Sequence, residues 1–347
     1  MLTIKIHKAH DLRVEEEPDA TPPGQHEVTV TISRGGICGS DLHYYHQGGF
    51  GQVRLREPMT LGHEVSGMVS AVGDGVTDLR VDDKVAINPS IPCEKCTYCH
   101  QGLFNQCDDM RFFGSAMRFP HQQGLFRQTI TIDRQQLVAL PGDIDLTHAA
   151  CAEPLAVCLH AVGQAGALEG KRVLISGCGP IGCLTAMLAA HAGAKEVIVT
   201  DMHEAPLKIA RQMGAMRTIN VGSSPEELQS LAKGKGALDV IIECSGSPQA
   251  LGAALEVVRP RGTIVTVGLG GAVNLEMNLV VAKEINIKGT FRFDKEFKQA
   301  VELIGSKRID VAPLITSVLP MANAEQAFEL AARRDRAMKV QIDFENA

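Results

Sequence analysis

No uninterrupted apolar run in this chain approaches the ~20 residues needed to cross a bilayer, and no block of Lys or Arg stands out from the interspersed charges. The first absence argues against a membrane span. The second, with a formal net charge of -6, argues against a surface that tracks a phosphate backbone, so neither membrane nor nucleic acid is expected as a partner. The opening stretch, MLTIKIHKAHDLRVEEEP, carries no basic segment, apolar stretch or small-residue cleavage site of a secretory signal. A cytoplasmic location is the expectation. Neither a repeat of about 20–50 residues nor a low-complexity tract is present.

What is present is a chain of 347 residues, 45% hydrophobic, long enough for two domains each with its own core. Its ten cysteines read first as metal ligands or buried thiols, because a reducing compartment disfavours structural disulfides. Cys158, Cys178, Cys183 and Cys244 have apolar or small neighbours and fit core packing. Cys93, Cys96, Cys99 and Cys107 lie instead among Pro, Lys, Glu, His and Gly.

Residues 1 to about 155 show short alternating segments such as EVTVTI and DKVAI between Gly, Pro and Asp turns, the pattern of a barrel-like antiparallel β unit. From about 156 to 290 the pattern changes. KRVLISG, KEVIVTD, DVIIECSG, ALEVVRP and GTIVTVGLGG are short apolar segments separated by helical stretches, which predicts a doubly wound parallel sheet covered on both faces. The tail, 291 to 347, holds helices and a closing strand, KVQIDF.

In VLISGCGPIG, Gly177, Gly179 and Gly182 have G-x-G-x-x-G spacing after a strand and at the start of a helix that includes Pro180 and Ile181. Such a turn lets a pyrophosphate approach the backbone at a helix N-terminus, so a dinucleotide is expected there. Asp201 closes the next strand about twenty positions on, where a carboxylate takes the ribose hydroxyls and repels a 2′-phosphate. It also suits a helix N-cap, and the two roles are compatible. NAD is therefore favoured over NADP, with Lys208 and Arg211 the cations that could reach a phosphate.

The run C-x2-C-x2-C-x7-C from Cys93 to Cys107 suits a closed tetrahedral zinc site that stabilises a loop without a core. An iron–sulfur cluster is the alternative for these four thiols. A second set is dispersed: Cys38, Ser40, His43 and Tyr44 in GGICGSDLHYY, His63 and Glu64 in LGHEVSG, and Glu153 in CAEPLAV. Thiolate, imidazole and carboxylate together suit an open zinc site. Singly, Cys38 reads equally as a buried thiol, His63 as a core histidine and Glu153 as a charge at a helix start.

Taken in order, GGICGSDLH, LGHE, the four-cysteine loop, AEPLAV, GCGPIG and GTFRF resemble the zinc-dependent medium-chain alcohol and polyol dehydrogenases over essentially the whole chain. The resemblance implies a GroES-like catalytic domain, 1–155 completed by 291–347, with an inserted Rossmann domain, 156–290. It implies two zinc ions per chain: a catalytic one on Cys38, His63 and Glu153 with Glu64 adjacent, and a structural one on Cys93, Cys96, Cys99 and Cys107. By the same resemblance Ser40 and His43 relay a proton through the cofactor ribose to solvent. Tyr44 and Arg292 touch the substrate, and the protein is a homo-oligomer, tetramer or dimer. RGGICGSDLHYY, AINPS and NQCDDMRFFGSAMRFPH are closer to members acting on a sugar acid than to those acting on sorbitol or xylitol. A substrate carboxylate needs a cation, for which Arg111, Arg118 and Arg292 are candidates. A non-enzymatic zinc- or NAD-sensing protein is the alternative class, separable by counting metal per chain.

Overall fold

The computed structural model describes residues 1–346. The segment EVTVTISRGG forms the strand Glu27–Gly36, in which Val28, Val30 and Ile32 are buried while Thr29 and Thr31 face outward, the two-residue period of a half-buried strand. This strand is the hub of a seven-stranded sheet. One edge pairs antiparallel with Glu64–Val72; the other pairs with Thr129–Asp133 along its first half and with Lys339–Asp343 at its end. A three-stranded sheet built on Leu2–Lys8 joins through the Thr3–Arg127 bridge, and the Ile4 N–H donates to the Phe126 carbonyl at 2.8 Å. The two sheets wrap one core containing Ile4, Val30, Leu61, Phe126, Phe328 and Ile342. The last strand of the chain thereby enters the sheet that carries the site segments.

The second unit is a six-stranded, all-parallel sheet whose strands, numbered within the sheet in chain order, lie three-two-one-four-five-six, the doubly wound Rossmann order. Its strands are apolar on both faces. Val173, Ile175, Val197, Val199, Val240 and Ile242 join one core, while Leu174, Ile198, Ile241 and Ile264 join the opposite one. Burying each such side chain contributes about 1.5–3 kcal/mol, which explains why a sheet covered by helices carries no polar alternation. The helix Pro180–His191 is buried along Gly182–Ala189, since it packs between the sheet and the helix Ala152–Ala165.

The change of pattern expected near 155 falls inside the helix Ala152–Ala165, and the first parallel strand begins only at Arg172. One local expectation needs correction. ALEVVRP is not a separate sheet segment: Ser247 and Pro248 start a helix that runs to Val257, and the strand begins at Val258. Arg292 lies beyond the strand Asn286–Gly289, at φ +52°, so alternation along a strand says nothing about its direction.

Candidate active site and metal centres

Between the two units runs a cleft of about 180 Å³, lined by Cys38, Glu64 and Lys339 on the β side and by Gly179, Ile181 and Asp201 on the parallel-sheet side. Gly177 turns at φ +89°, and a Cβ there would sit 2.7 Å from Ser245. A Cβ on Gly182 would lie 1.9 Å from the Gly177 carbonyl, so helix and turn approach as only glycine permits. Gly179 caps the helix, with Pro180 at its first position, and Arg334 Nη1 lies 2.9 Å from where a Gly179 Cβ would be. Open backbone, a helix N-terminus and a guanidinium fit a pyrophosphate. The Asp201 carboxylate accepts from the Cys178 N–H at 2.8 Å and the His203 N–H at 2.9 Å, which fixes it at the mouth of the turn.

On the β side, ligand atoms of Cys38, His63 and Glu64 lie within 4.8 Å of one another. Glu153, at the start of the helix Ala152–Ala165, is outside that tight group but close enough to interact electrostatically with all three. Cys38 caps the helix Gly39–Gln47, a position that favours thiolate. Desolvation and the facing Glu64 carboxylate outweigh that effect and push the thiol up to about 12. Burial likewise pushes Glu153 up to about 8 against the pull of His63, with Glu64 and Cys38 adding to the rise. His63 Nδ1 is buried without a hydrogen-bond partner. A site crowded with groups that resist ionising together, and with an orphaned imidazole nitrogen, fits a divalent cation that reverses the balance.

The four thiols of Cys93, Cys96, Cys99 and Cys107 also lie within 4.8 Å of one another. Only Met110 joins Cys99 and Cys107 as a buried apolar residue in this lobe. The backbone N–H groups of Cys99 and Asp108 pull Cys96 down to about 6, while burial pushes Cys99 up to about 12. Four sulfurs with so small a core fit a structural zinc.

Ser40 and His43 stand on the helix that Cys38 caps; Ser40 is half-buried two residues after Cys38, and His43 is exposed. Tyr44 is buried, its hydroxyl accepting from the Ala116 N–H at 2.9 Å. The Phe112 ring lies 5.4 Å from the His63 ring and carries the Arg292 guanidinium 4.0 Å above its face. Burial pulls Arg292 down to about 10, Glu153 and Tyr44 oppose that, and its Nη1 is buried without a partner. The other two arginines are elsewhere. Arg118 turns to the Asp108 carbonyl and the Asp109 carboxylate, and Arg111 is half-buried beside the buried Phe112 in the strand Arg111–Phe112.

The model of the alcohol dehydrogenase GroES-like domain matches residues 24–142, and that of the zinc-binding dehydrogenases matches residues 180–306. L-idonate 5-dehydrogenase (NAD(P)(+)) of Escherichia coli strain K12 is 43% identical over 316 residues, 91% of either chain. This chain belongs to the zinc-dependent medium-chain alcohol and polyol dehydrogenases. As a member of that family it is an oxidoreductase of small molecules that uses zinc and a nicotinamide cofactor. The crystal structure of the same Escherichia coli enzyme superposes with a TM-score of 0.94 at 41% identity, covering 99% of this chain and 97% of the other. Sorbitol dehydrogenase of Gallus gallus is 35% identical over 98% of this chain and 96% of its own. No helix among the described residues is long and apolar enough to cross a membrane.

Two residues that hold this dehydrogenase's cysteine–histidine cluster escape a reading by motif. Asp41, fully buried, accepts from the Cys38 N–H at 2.9 Å and the Gly62 N–H at 3.2 Å, and so ties the Cys38 and His63 segments together. Its position three residues beyond the N-cap is the one local signal for it. Lys339 arrives from the closing strand, 275 residues away in sequence from the Glu64 it pairs with, and nothing local announces it.

Proposed function

We propose that the protein interconverts L-idonate and 5-keto-D-gluconate with NAD, on two zinc ions per chain. The observation that carries the sugar-acid reading is Arg292: a half-buried guanidinium with one nitrogen buried and unpartnered, one aromatic ring away from His63. A buried cation left unsatisfied is costly, and a substrate carboxylate several carbons from the reacting centre satisfies it. The similarity to L-idonate 5-dehydrogenase points the same way.

In this reading Cys38, His63 and Glu153 hold the catalytic zinc, and Glu64 remains with Lys339 beside it. Cys93, Cys96, Cys99 and Cys107 hold the structural one. When bound, the catalytic metal acidifies a secondary alcohol and polarises the matching ketone while the nicotinamide exchanges the hydride. Ser40 accepts the proton released by the substrate hydroxyl as its own hydroxyl proton moves on towards His43. His43, three residues on and on the same helix face, hands it to solvent. Desolvation together with nearby Arg334 and His46 lowers the His43 pKa, which keeps the ring neutral and able to accept at neutral pH. Tyr44 contacts the polyol chain, and Arg292 its carboxylate end. Gly177, Gly179, Pro180, Ile181 and Gly182 cradle the pyrophosphate, and Asp201 takes the adenine ribose. Arg211 is held by Glu204 and Thr218, which leaves a 2′-phosphate less support and favours NAD.

The solvent-facing edge strand Asn286–Gly289, in which Ile287 is exposed, and the helix Met277–Lys283, in which Met277 and Val281 are exposed, support assembly of two or more copies through the parallel sheets.

The test is the initial rate of NAD reduction with L-idonate, sorbitol and xylitol, each repeated with NADP, beside a zinc count per chain. Preference for L-idonate supports the reading. Preference for an uncharged polyol, as the similarity to sorbitol dehydrogenase allows, overturns the substrate while leaving the chemistry intact. One zinc and no turnover would favour a sensor.

A further inference from the structure

Three buried polar atoms without a hydrogen-bond partner fall within five consecutive residues: Thr290 Oγ1, Arg292 Nη1 and Asp294 Oδ1. At the centre of them, Arg292 holds φ +52°, a conformation that a residue with a long side chain keeps only where its surroundings impose it. The constraint comes from outside the loop. Before Arg292, Asn105 Nδ2 donates to the Phe291 carbonyl at 3.0 Å. After it, the Asp294 N–H donates to Glu296 Oε2 at 2.7 Å.

These contacts form one network. His160 Nδ1 lies 2.9 Å from Glu296 Oε1, and His160 Nε2 lies 3.3 Å from Asn105 Nδ2. Donation from Nδ1–H to the carboxylate leaves Nε2 to accept from the Asn105 amide, so one tautomer satisfies both bonds. Asn105 is 7% exposed and Glu296 is largely buried, so neither bond is easily replaced by water. Phe104 and Asn105 lie between Cys99 and Cys107 in the four-cysteine lobe, and His160 lies two helical turns along from Glu153.

We infer that Asn105 and the His160–Glu296 pair are positioning residues that clamp the Arg292 bend, so that the four-cysteine lobe, through Asn105, sets how the carboxylate end of the substrate is held. The inference rests on Arg292 being the carboxylate partner. It gives the lobe a part in substrate discrimination as well as in folding.

The experiment compares the zinc-loaded full chain with His160→Ala, His160→Asn and Arg292→Met. Asparagine places its amide nitrogen where the histidine Nδ1 sits, so it keeps the donor to Glu296 and loses the ring. Amide hydrogen exchange over residues 290–296 reports the clamp without reference to activity. The expected result is faster exchange there in His160→Ala, with exchange along Pro180–His191 unchanged. The KM for L-idonate rises about tenfold or more, the KM for sorbitol and for NAD stays near that of the parent, and His160→Asn, which keeps the bond to Glu296 but loses the acceptor for Asn105, recovers part of both. Unchanged exchange over 290–296, acceleration spread through the whole chain, or His160→Asn behaving as His160→Ala would overturn the clamp. If Arg292→Met abolishes the preference for L-idonate and His160→Ala leaves it intact, the link to discrimination fails while the role of Arg292 stands. If Arg292→Met leaves the preference intact, the carboxylate reading fails, and the link to discrimination fails with it, whatever the exchange shows.

Discussion

Lys339 Nζ lies 2.9 and 2.7 Å from the two carboxylate oxygens of Glu64, with both side chains almost completely buried. The same ammonium donates to the Ile37 carbonyl at 3.2 Å, so the end of the chain is fastened to the segment that carries Cys38. Removing the cation leaves a buried carboxylate beside a thiol and a second carboxylate. In zinc-free protein Lys339→Met should therefore cost about 3–5 kcal/mol, and adding Glu64→Gln should recover much of it. Zinc supplies a substitute positive charge, so the penalty should shrink in the loaded protein. Denaturant midpoints of the two single variants and the double, with and without zinc, measure this; a penalty that is the same in both states would show that the metal does not share the field of Glu64.

Asp41 offers a sharper test of how the catalytic cluster is assembled. Its two oxygens take the N–H groups of Cys38 and Gly62, and His63 Nδ1 is 3.8 Å from it, too far for a hydrogen bond. Asp41→Asn keeps the shape but turns one acceptor into a donor facing an N–H. Zinc affinity at this site should fall about 10–100-fold, the range for partners that orient metal ligands. Competition with a chelator reads it, and the four-cysteine site should keep its metal in the same titration.

The extent to which all this is legible in sequence follows from how local each signal is. The glycine turn and Asp201 are legible because turn, helix start and strand end follow one another along the chain, and the cysteine lobe because its spacing is short. The doubly wound sheet is legible because strands apolar on both faces cannot belong to a half-exposed sheet. Lys339 is invisible for the opposite reason, since its meaning depends on the closing strand pairing with Glu27–Gly36 and on ammonium bonds that span 275 residues to Glu64 and 302 to the Ile37 carbonyl. Arg292 is identified by its motif, while its conformation is not. A left-handed bend imposed by Asn105 and Glu296 leaves no mark in the letters around it.

The four-cysteine lobe should lose its metal without emptying the other site. Cys99→Ser removes a buried ligand from a lobe whose apolar content is little more than Met110. Metal analysis should give one zinc per chain in place of two, and the unfolding temperature should fall. A variant that still carries two would show that three thiolates suffice, and one that carries none would show that the lobe's metal is a condition for folding.

Choice of dinucleotide is best tested at Asp201 with a substitution that separates charge from architecture. Its carboxylate serves the turn through the Cys178 and His203 N–H groups, and in the proposed reading it also takes the ribose. Asp201→Ala would strand those donors and weaken both cofactors together. Asp201→Ser keeps an acceptor near the turn but removes the negative charge that repels a 2′-phosphate and takes the ribose hydroxyls. The ratio of kcat/KM for NAD to that for NADP should fall about 10–100-fold, the worth of a hydrogen bond to a charged group. Part of the change should appear as improved use of NADP, since exposed Lys208 then has a phosphate to meet. Equal losses with both cofactors would mean that Asp201 acts only through the turn, and the preference for NAD would then have to come from elsewhere in the pocket.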